Sequence, residues 1–269
     1  MSIPNTSSLS ITHIGTATAI LEIDGVKFIT DPFFSPAGTS FDLGFIQLKV
    51  DTDPGLGLDQ LPPIDAVLLS HEDHVDNLDD LGRRLLDGRK VLTTMDGAKN
   101  LAPRPGVRGM RPWETITEYE IAGKRFTITA TPCKHLPGGE STGFLLHHDS
   151  FGATDGKPNA IWFSGDTVWI PELAEMRNKY HVLAAVLNLG GAIVPNPFDL
   201  EGPQINITMD GKQGARAVRE IGADVLVPMH FAEWEHFKQH GKELREAFEA
   251  EGIMDKVCWL TPGKPVKVY

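Results

Sequence analysis

Ser70-His71-Glu72-Asp73-His74-Val75-Asp76-Asn77 is the stretch that decides how this chain reads. Before it runs Ala66-Val67-Leu68-Leu69, a continuous apolar run that suits a strand buried on both faces. After it, Leu78, Leu81, Leu85 and Leu86 share one helical face, with acids in the first turn, arginines later and Gly88 past the end. That pattern predicts a helix. The turn between strand and helix therefore carries His71, His74 and Asp76 close together. Imidazole and carboxylate are good ligands for zinc and its neighbours, so a single loop can turn several ligands inward. Read without that chemistry, the segment is a solvated loop in which Asp76 or Asn77 caps the helix.

Three further polar clusters end apolar strands. Thr131-Pro132-Cys133-Lys134-His135 follows the β-rich run Arg125–Thr131. Phe163-Ser164-Gly165-Asp166-Thr167 closes the run Ala160–Ser164, and Val227-Pro228-Met229-His230-Phe231 closes the run Asp224–Met229. Each has an ordinary reading: a solvated His135, a turn aspartate at Asp166, a satisfied core histidine at His230. Their recurrence at strand ends makes His71, His74, Asp76, His135, Asp166 and His230 candidate ligands of one metal centre. A carboxylate beside Gly165, which permits close approach, is suited to bridging two ions.

The rest of the chain supplies a frame. Ser10–Gly15, Thr18–Ile23 and Val26–Thr30 read as strands, the last two joined by an Asp24-Gly25 turn. Residues 32–62, rich in Gly, Pro and Asp, read as one long loop. Further strands are expected at Gly143–His147, Leu183–Leu187 and Val257–Leu260. Helices are expected from Pro171, from Asp210 to Gly222 with Gln213 as capping partner, and over roughly 234–251. Strands followed by helices in two similar halves predict an α/β (α+β) architecture of two sheets packed face to face with helices outside. The chain is expected to be one domain with βα halves at roughly 8–125 and 126–269, and sites at strand ends.

Composition narrows the function. The 269 residues are 41% hydrophobic and 23% charged, an ordinary globular balance with room for a large core. The net charge of −11 and the lack of Lys/Arg runs argue against nucleic acid as a partner. The first residues resemble no signal peptide, no apolar stretch is long enough to span a membrane, and two cysteines make no disulfide scaffold. A cytoplasmic protein with no membrane contact is expected, acting on a small-molecule substrate; nothing excludes a homo-oligomer.

These residues together resemble the metallo-β-lactamase superfamily, and within it the branch similar to ascorbate-6-phosphate lactonase. The likeness runs from Ile14-Gly15-Thr16-Ala17-Thr18 and Thr30-Asp31-Pro32 through Ser70–Asp79, Thr131–His135, Ser164–Thr167 and Pro228–Phe231. It implies a four-layer αββα sandwich. It implies one ion at His71, His74, His135 and Asp166, and another at Asp76, Asp166 and His230. The family's loop reads His-x-His-x-Asp-His. Here Asp76-Asn77-Leu78-Asp79 matches Asp-His-Leu-Asp, so His71 stands one residue early, Glu72 takes its place, and Asn77 replaces the third histidine. One ion or two, and a role for Glu72 after a loop shift, stay open. Zinc is the implied metal, with manganese or iron as alternatives.

A metal ion acidifies its bound water to roughly pKa 7. The reaction expected is attack of that hydroxide on a small cyclic ester or amide: a lactone, lactam or cyclic carbamate. Asp76 would orient the nucleophile and pass its proton to the leaving group. The alternatives are a phosphodiester hydrolase of the same fold and a non-catalytic metal- or ligand-binding protein. Trp169 and Trp234, close behind Asp166 and His230, are candidate substrate-binding residues. His236 and His240 read as solvated positions on the last helix.

Overall fold

The computed structural model describes residues 8–269. One mixed sheet runs in the order Pro265–Lys267, Leu9–Gly15, Thr18–Ile23, Val26–Thr30, Ala66–Leu68, Lys90–Thr94, Val107–Met110. The other runs Val225–Met229, His181–Asn188, Lys157–Phe163, Thr142–His147, Lys124–Pro132, Thr115–Ile121, with the short strand Ala153–Thr154 paired to Lys157–Phe163. The inner faces meet in one core that includes Leu21, Phe28 and Leu68 from the first sheet and Phe126, Phe144, Phe163 and Val186 from the second. Phe28 and Phe126 lock the two sheets edge to face, ring centres 5.0 Å apart.

The period-two alternation of strands sends the remaining residues outward. Ile29, Val67 and Val91 on the outer face of the first sheet pack against Leu78, Leu85 and Leu86. Ala185, Leu187 and Leu226 on the outer face of the second pack against Ala215, Val218 and Ile221 of the helix Gly211–Ile221 and against Leu244 and Phe248 of the helix Gly241–Ala250. This is the αββα layering of the metallo-β-lactamase fold.

Several local expectations change. The strands Lys90–Thr94, Val107–Met110 and Thr115–Ile121 carry too little period to stand out in sequence. The switch between sheets falls between Met110 and Thr115, ahead of the division expected near 125, because Thr115–Ile121 forms a hairpin with Lys124–Pro132. Val257–Leu260 is no strand. Val257 makes one bridge to Leu226, and the closing strand Pro265–Lys267 returns to pair with Leu9–Gly15 in the first sheet. The long loop 32–62 holds a small hairpin, Ser40–Asp42 with Gln47–Lys49, and a helical turn at Leu58–Gln60.

The last helix begins at Gly241, seven residues later than the expected 234. Trp234 and Phe237 are buried in a cluster with Phe33 and Val50. The amides of Lys238 and Gln239 donate to Gly190 O instead of to a helical turn. At the helix Gly211–Ile221, Asp210 accepts from the Gln213 amide and Gly222 ends the helix in the left-handed region. The Gln213 side chain does not complete a capping box: its Oε1 accepts the Trp169 amide at 2.7 Å.

Candidate metal centre

The turn after Ala66–Leu68 stands open because a different residue caps the helix. Asp79 accepts the Gly82 amide at 2.6 Å, and its other oxygen accepts Phe34 N at 3.0 Å and Ser35 Oγ at 2.6 Å. Asp76 is thereby released from capping. Gly165, at φ +57°, lets Asp166 reach the same place; a Cβ on it would sit 2.4 Å from Thr142 O and 2.8 Å from Ser70 Cβ. His230 ends its strand at φ +54°, a conformation a non-glycine residue adopts at a cost and one that turns its ring out of the strand.

The six candidate ligands converge as two triads, His71/His74/His135 and Asp76/Asp166/His230. Within each, the potential ligand atoms lie within 4.8 Å of one another. His71 Nε2 and His135 Nε2 approach the same atom, His74 Nδ1, at 3.0 and 3.2 Å. A single proton on that nitrogen satisfies only one of these contacts, whereas a cation drawing on three lone pairs satisfies all three. The outer nitrogens are already committed. His135 Nδ1 donates to Ile207 O at 2.7 Å. His71 Nδ1 lies 2.8 Å from Ser70 Oγ, whose own proton goes to Asp31 Oδ2 at 2.8 Å. Both arrangements fix the tautomer with the Nε2 lone pair facing inward, the outer-shell pattern of ligating histidines.

In the second triad His230 Nδ1 is 3.1 Å from Asp166 Oδ1, and His230 Nε2 is 3.6 Å from Asp76 Oδ2. The longer separation is an ionic contact and not a hydrogen bond, so Nε2 is buried without a hydrogen-bond partner. Asn188 Nδ2 holds Asp166 Oδ1 at 2.6 Å. The donor set of each triad fits a divalent ion: three imidazoles in one, two carboxylates and an imidazole in the other.

Electrostatics agree with that chemistry for the three-histidine triad and for the two carboxylates. Burial, then the neighbouring His74 and His135, hold His71 well below its ordinary value, so its ring is neutral, the form a metal ligand requires. Burial also lowers His135. Burial opposes ionisation of Asp76 and Asp166, but His230 overcomes it and both carboxyls stay far down the carboxylate range. His230 itself resists burial and is lifted to about 10, chiefly by the Asp166 charge.

Glu72 belongs to neither triad. It is tied to Arg83 Nη2 at 3.0 Å and to Asn100 Nδ2 at 2.7 Å, on the far side of the turn. Asn77 also faces away, donating Nδ2 to Asp31 Oδ2 at 3.0 Å. Asp31 is fully buried, and burial together with Asp166's charge raises its carboxyl to about 7. Asp31 and Asn188 are supporting residues that the sequence reading left out. Asn188 carried a usable signal, a polar residue at the end of an otherwise apolar strand.

The triads open into a cleft of about 440 Å³, mouth included, at the small end of ligand sites. Leu43, Phe45, Ile46, Leu48, Val194 and Phe237 line it, with His74, Asp76, His135, Asp166 and His230 at its base. Trp169 and Trp234 do not line it, which corrects their expected substrate role. Trp169 packs in the outer core of the second sheet, and Trp234 is fully buried with its ring centre 5.3 Å from Phe33. Tryptophan's large apolar surface was drawn into the cores instead. His236, in contrast, lines the cleft from the irregular segment before the last helix, which corrects its reading as solvated.

Comparison with known proteins gives a family and a fold. A family model described as a beta-lactamase superfamily domain matches residues 27–231. An uncharacterized protein of Mycobacterium tuberculosis is 28% identical over 240 residues, 84% of this chain and 59% of that protein. The chain thus spans less than two thirds of that relative's length. A metal-dependent hydrolase of Methanosarcina mazei is 25% identical over 274 residues, 97% of this chain and 100% of that one. Among solved structures, an isothiocyanate hydrolase from Delia radicum gut bacteria superposes with a TM-score of 0.74 at 23% identity, covering 96% and 98% of the two chains. A metallo hydrolase from Ignicoccus hospitalis superposes with a TM-score of 0.71 at 22% identity, covering 97% and 98%. These two likenesses establish the metallo-β-lactamase fold.

Proposed function

Because the chain belongs to the beta-lactamase superfamily domain family, whose model covers most of it, we propose that it is a metal-dependent hydrolase that opens a small, uncharged cyclic ester or amide. The observation that carries this reading is the pairing of two converging ligand triads with an apolar cleft on whose walls, among the described residues, no lysine or arginine stands. A phosphodiester would bring its charge to a wall without a cation, so that alternative is disfavoured. The sequence resemblance to ascorbate-6-phosphate lactonases suggests the ring-opening chemistry, while the cleft favours an uncharged ring over a phosphorylated one.

His71, His74 and His135 would hold one ion, and Asp76, Asp166 and His230 a second; Asp166 Oδ2, 3.8 Å from His135 Nε2, could serve either. Zinc is the proposed metal, with manganese or iron as alternatives. Bound there, a divalent ion supplies Lewis acidity and makes water a nucleophile at neutral pH. The chain's own residues do the rest. Asp76, ionised at neutral pH, accepts the proton of the attacking water and carries it to the leaving heteroatom. His230 Nδ1 holds Asp166 in register at 3.1 Å, and the apolar walls exclude bulk water, which strengthens every charge interaction at the base.

Metal analysis combined with a substrate panel tests the proposal. Turnover of lactones, lactams or cyclic carbamates that is lost on chelation and restored by metal supports it. Faster turnover of a bis-aryl phosphodiester favours the alternative, and full activity of metal-stripped protein sinks the metal reading. Isothiocyanates, the class in the name of the Delia radicum gut-bacterial relative, are also small, neutral, apolar electrophiles. The apolar cleft admits them as a second reading, and they belong in the same panel.

A further inference from the structure

Outside the two triads, two polar side chains among the described residues line the cleft, Thr208 and His236. Thr208 is already engaged, its Oγ1 accepting the Ala192 amide at 2.8 Å. His236 is not. Its ring is wedged against Phe237, 4.7 Å between centres, and against Trp234 at 6.2 Å, and its Nδ1 is buried without a hydrogen-bond partner. Phe237 in turn stacks edge-on against His230 at 5.0 Å, so the wedge adjoins the second triad. Burial pushes the His236 ring down to about 4, so at neutral pH it keeps one N–H and one lone pair. A neutral ring can face a metal-laden site without charge repulsion. A desolvated polar atom left unpaired is unfavourable in the free protein, and it is explained if a ligand completes it.

We propose that His236 touches the substrate, its neutral ring donating a hydrogen bond to the acyl oxygen of the ring being opened. The inference rests on the hydrolase reading above and names a residue that reading does not use. A donor aimed where negative charge develops contributes more to the transition state than to substrate binding, so its removal lowers kcat more than it raises KM.

The test uses the metal-loaded protein and the variants His236→Leu and His236→Asn. With the best substrate of the panel, His236→Leu is expected to lose kcat by about a hundredfold. Its metal content should be unchanged and its thermal midpoint no lower, since the unpaired nitrogen is gone. His236→Asn, which puts back a neutral side-chain donor at the same place, should recover most of the rate. Wild-type kcat and KM in His236→Leu, or no recovery by Asn, overturns the proposal. A second measurement separates it from the hydrolase reading: the His236 imidazole nitrogen NMR signal during titration with γ-butyrolactam. If the wild type opens no ring, the hydrolase reading falls. A saturable shift then still supports the His236 contact, and its absence overturns it.

Discussion

Asn77 Nδ2 donates to Asp31 Oδ2 at 3.0 Å, and the same oxygen accepts Ser70 Oγ at 2.8 Å. The residue that departs from the family's histidine has become a prop under the ligand loop, tying it to the end of the Val26–Thr30 strand. Asn77→Ala removes a donor from a buried carboxylate. It is expected to lower unfolding free energy by about 1–3 kcal/mol, read as an earlier midpoint in urea.

Asp166 is reached by His230, Asn188 and, at 3.8 Å, His135. Asp166→Asn keeps the shape and deletes the charge. Metal analysis should show fewer ions per chain, with hydrolysis lost and an unchanged circular dichroism spectrum. Retention of wild-type metal content would contradict the bridging position.

Glu72 and His74 lie two residues apart and should behave oppositely. Glu72 is held by Arg83 and Asn100, so Glu72→Gln is expected to leave metal stoichiometry unchanged. His74→Ala removes the nitrogen on which His71 and His135 converge, and should cost the three-histidine ion. Loss of metal in Glu72→Gln would revive the idea that the loop shifts to bring this glutamate in.

The folded protein holds His236 down to about 4, against an ordinary value of 6.5. Between those values the unfolded chain takes up a proton that the folded chain refuses. Stability is therefore full above pH 6.5 and falls as pH drops toward 4. The displacement corresponds to about 3 kcal/mol. His236→Gln should flatten that part of the stability–pH curve, measured by denaturant unfolding at several pH values.

Cys133, two residues from His135, is not a spare nucleophile. Burial lifts its thiol to about 12, and Sγ donates to Ser164 O at 3.4 Å. Thiolate is the reactive form, so iodoacetamide at pH 8 should leave Cys133 unlabelled in the folded protein and modify it after denaturation, by mass spectrometry.

What the sequence determined by itself was the pattern. Apolar runs such as Ala66–Leu69 and Leu183–Leu187 are local facts, and strand alternation sends one set of side chains to the shared core and the other to the helices. The placing of His71, His74, Asp76, His135, Asp166 and His230 at strand ends was legible for the same reason, because a polar residue closing an apolar run stands out. Tertiary structure decided what depends on distant partners. Whether Asp76 or Asp79 capped the helix was set by Phe34 and Ser35, more than forty residues earlier in the chain. Glu72 was claimed by Arg83 and Asn100. Trp169 and Trp234 were drawn into cores by their apolar area, and His236 was turned into the cleft because Lys238 and Gln239 spend their amides on Gly190. Local periodicity carries no information about which of several nearby polar groups a remote donor will reach, and only the folded chain brings those donors into range.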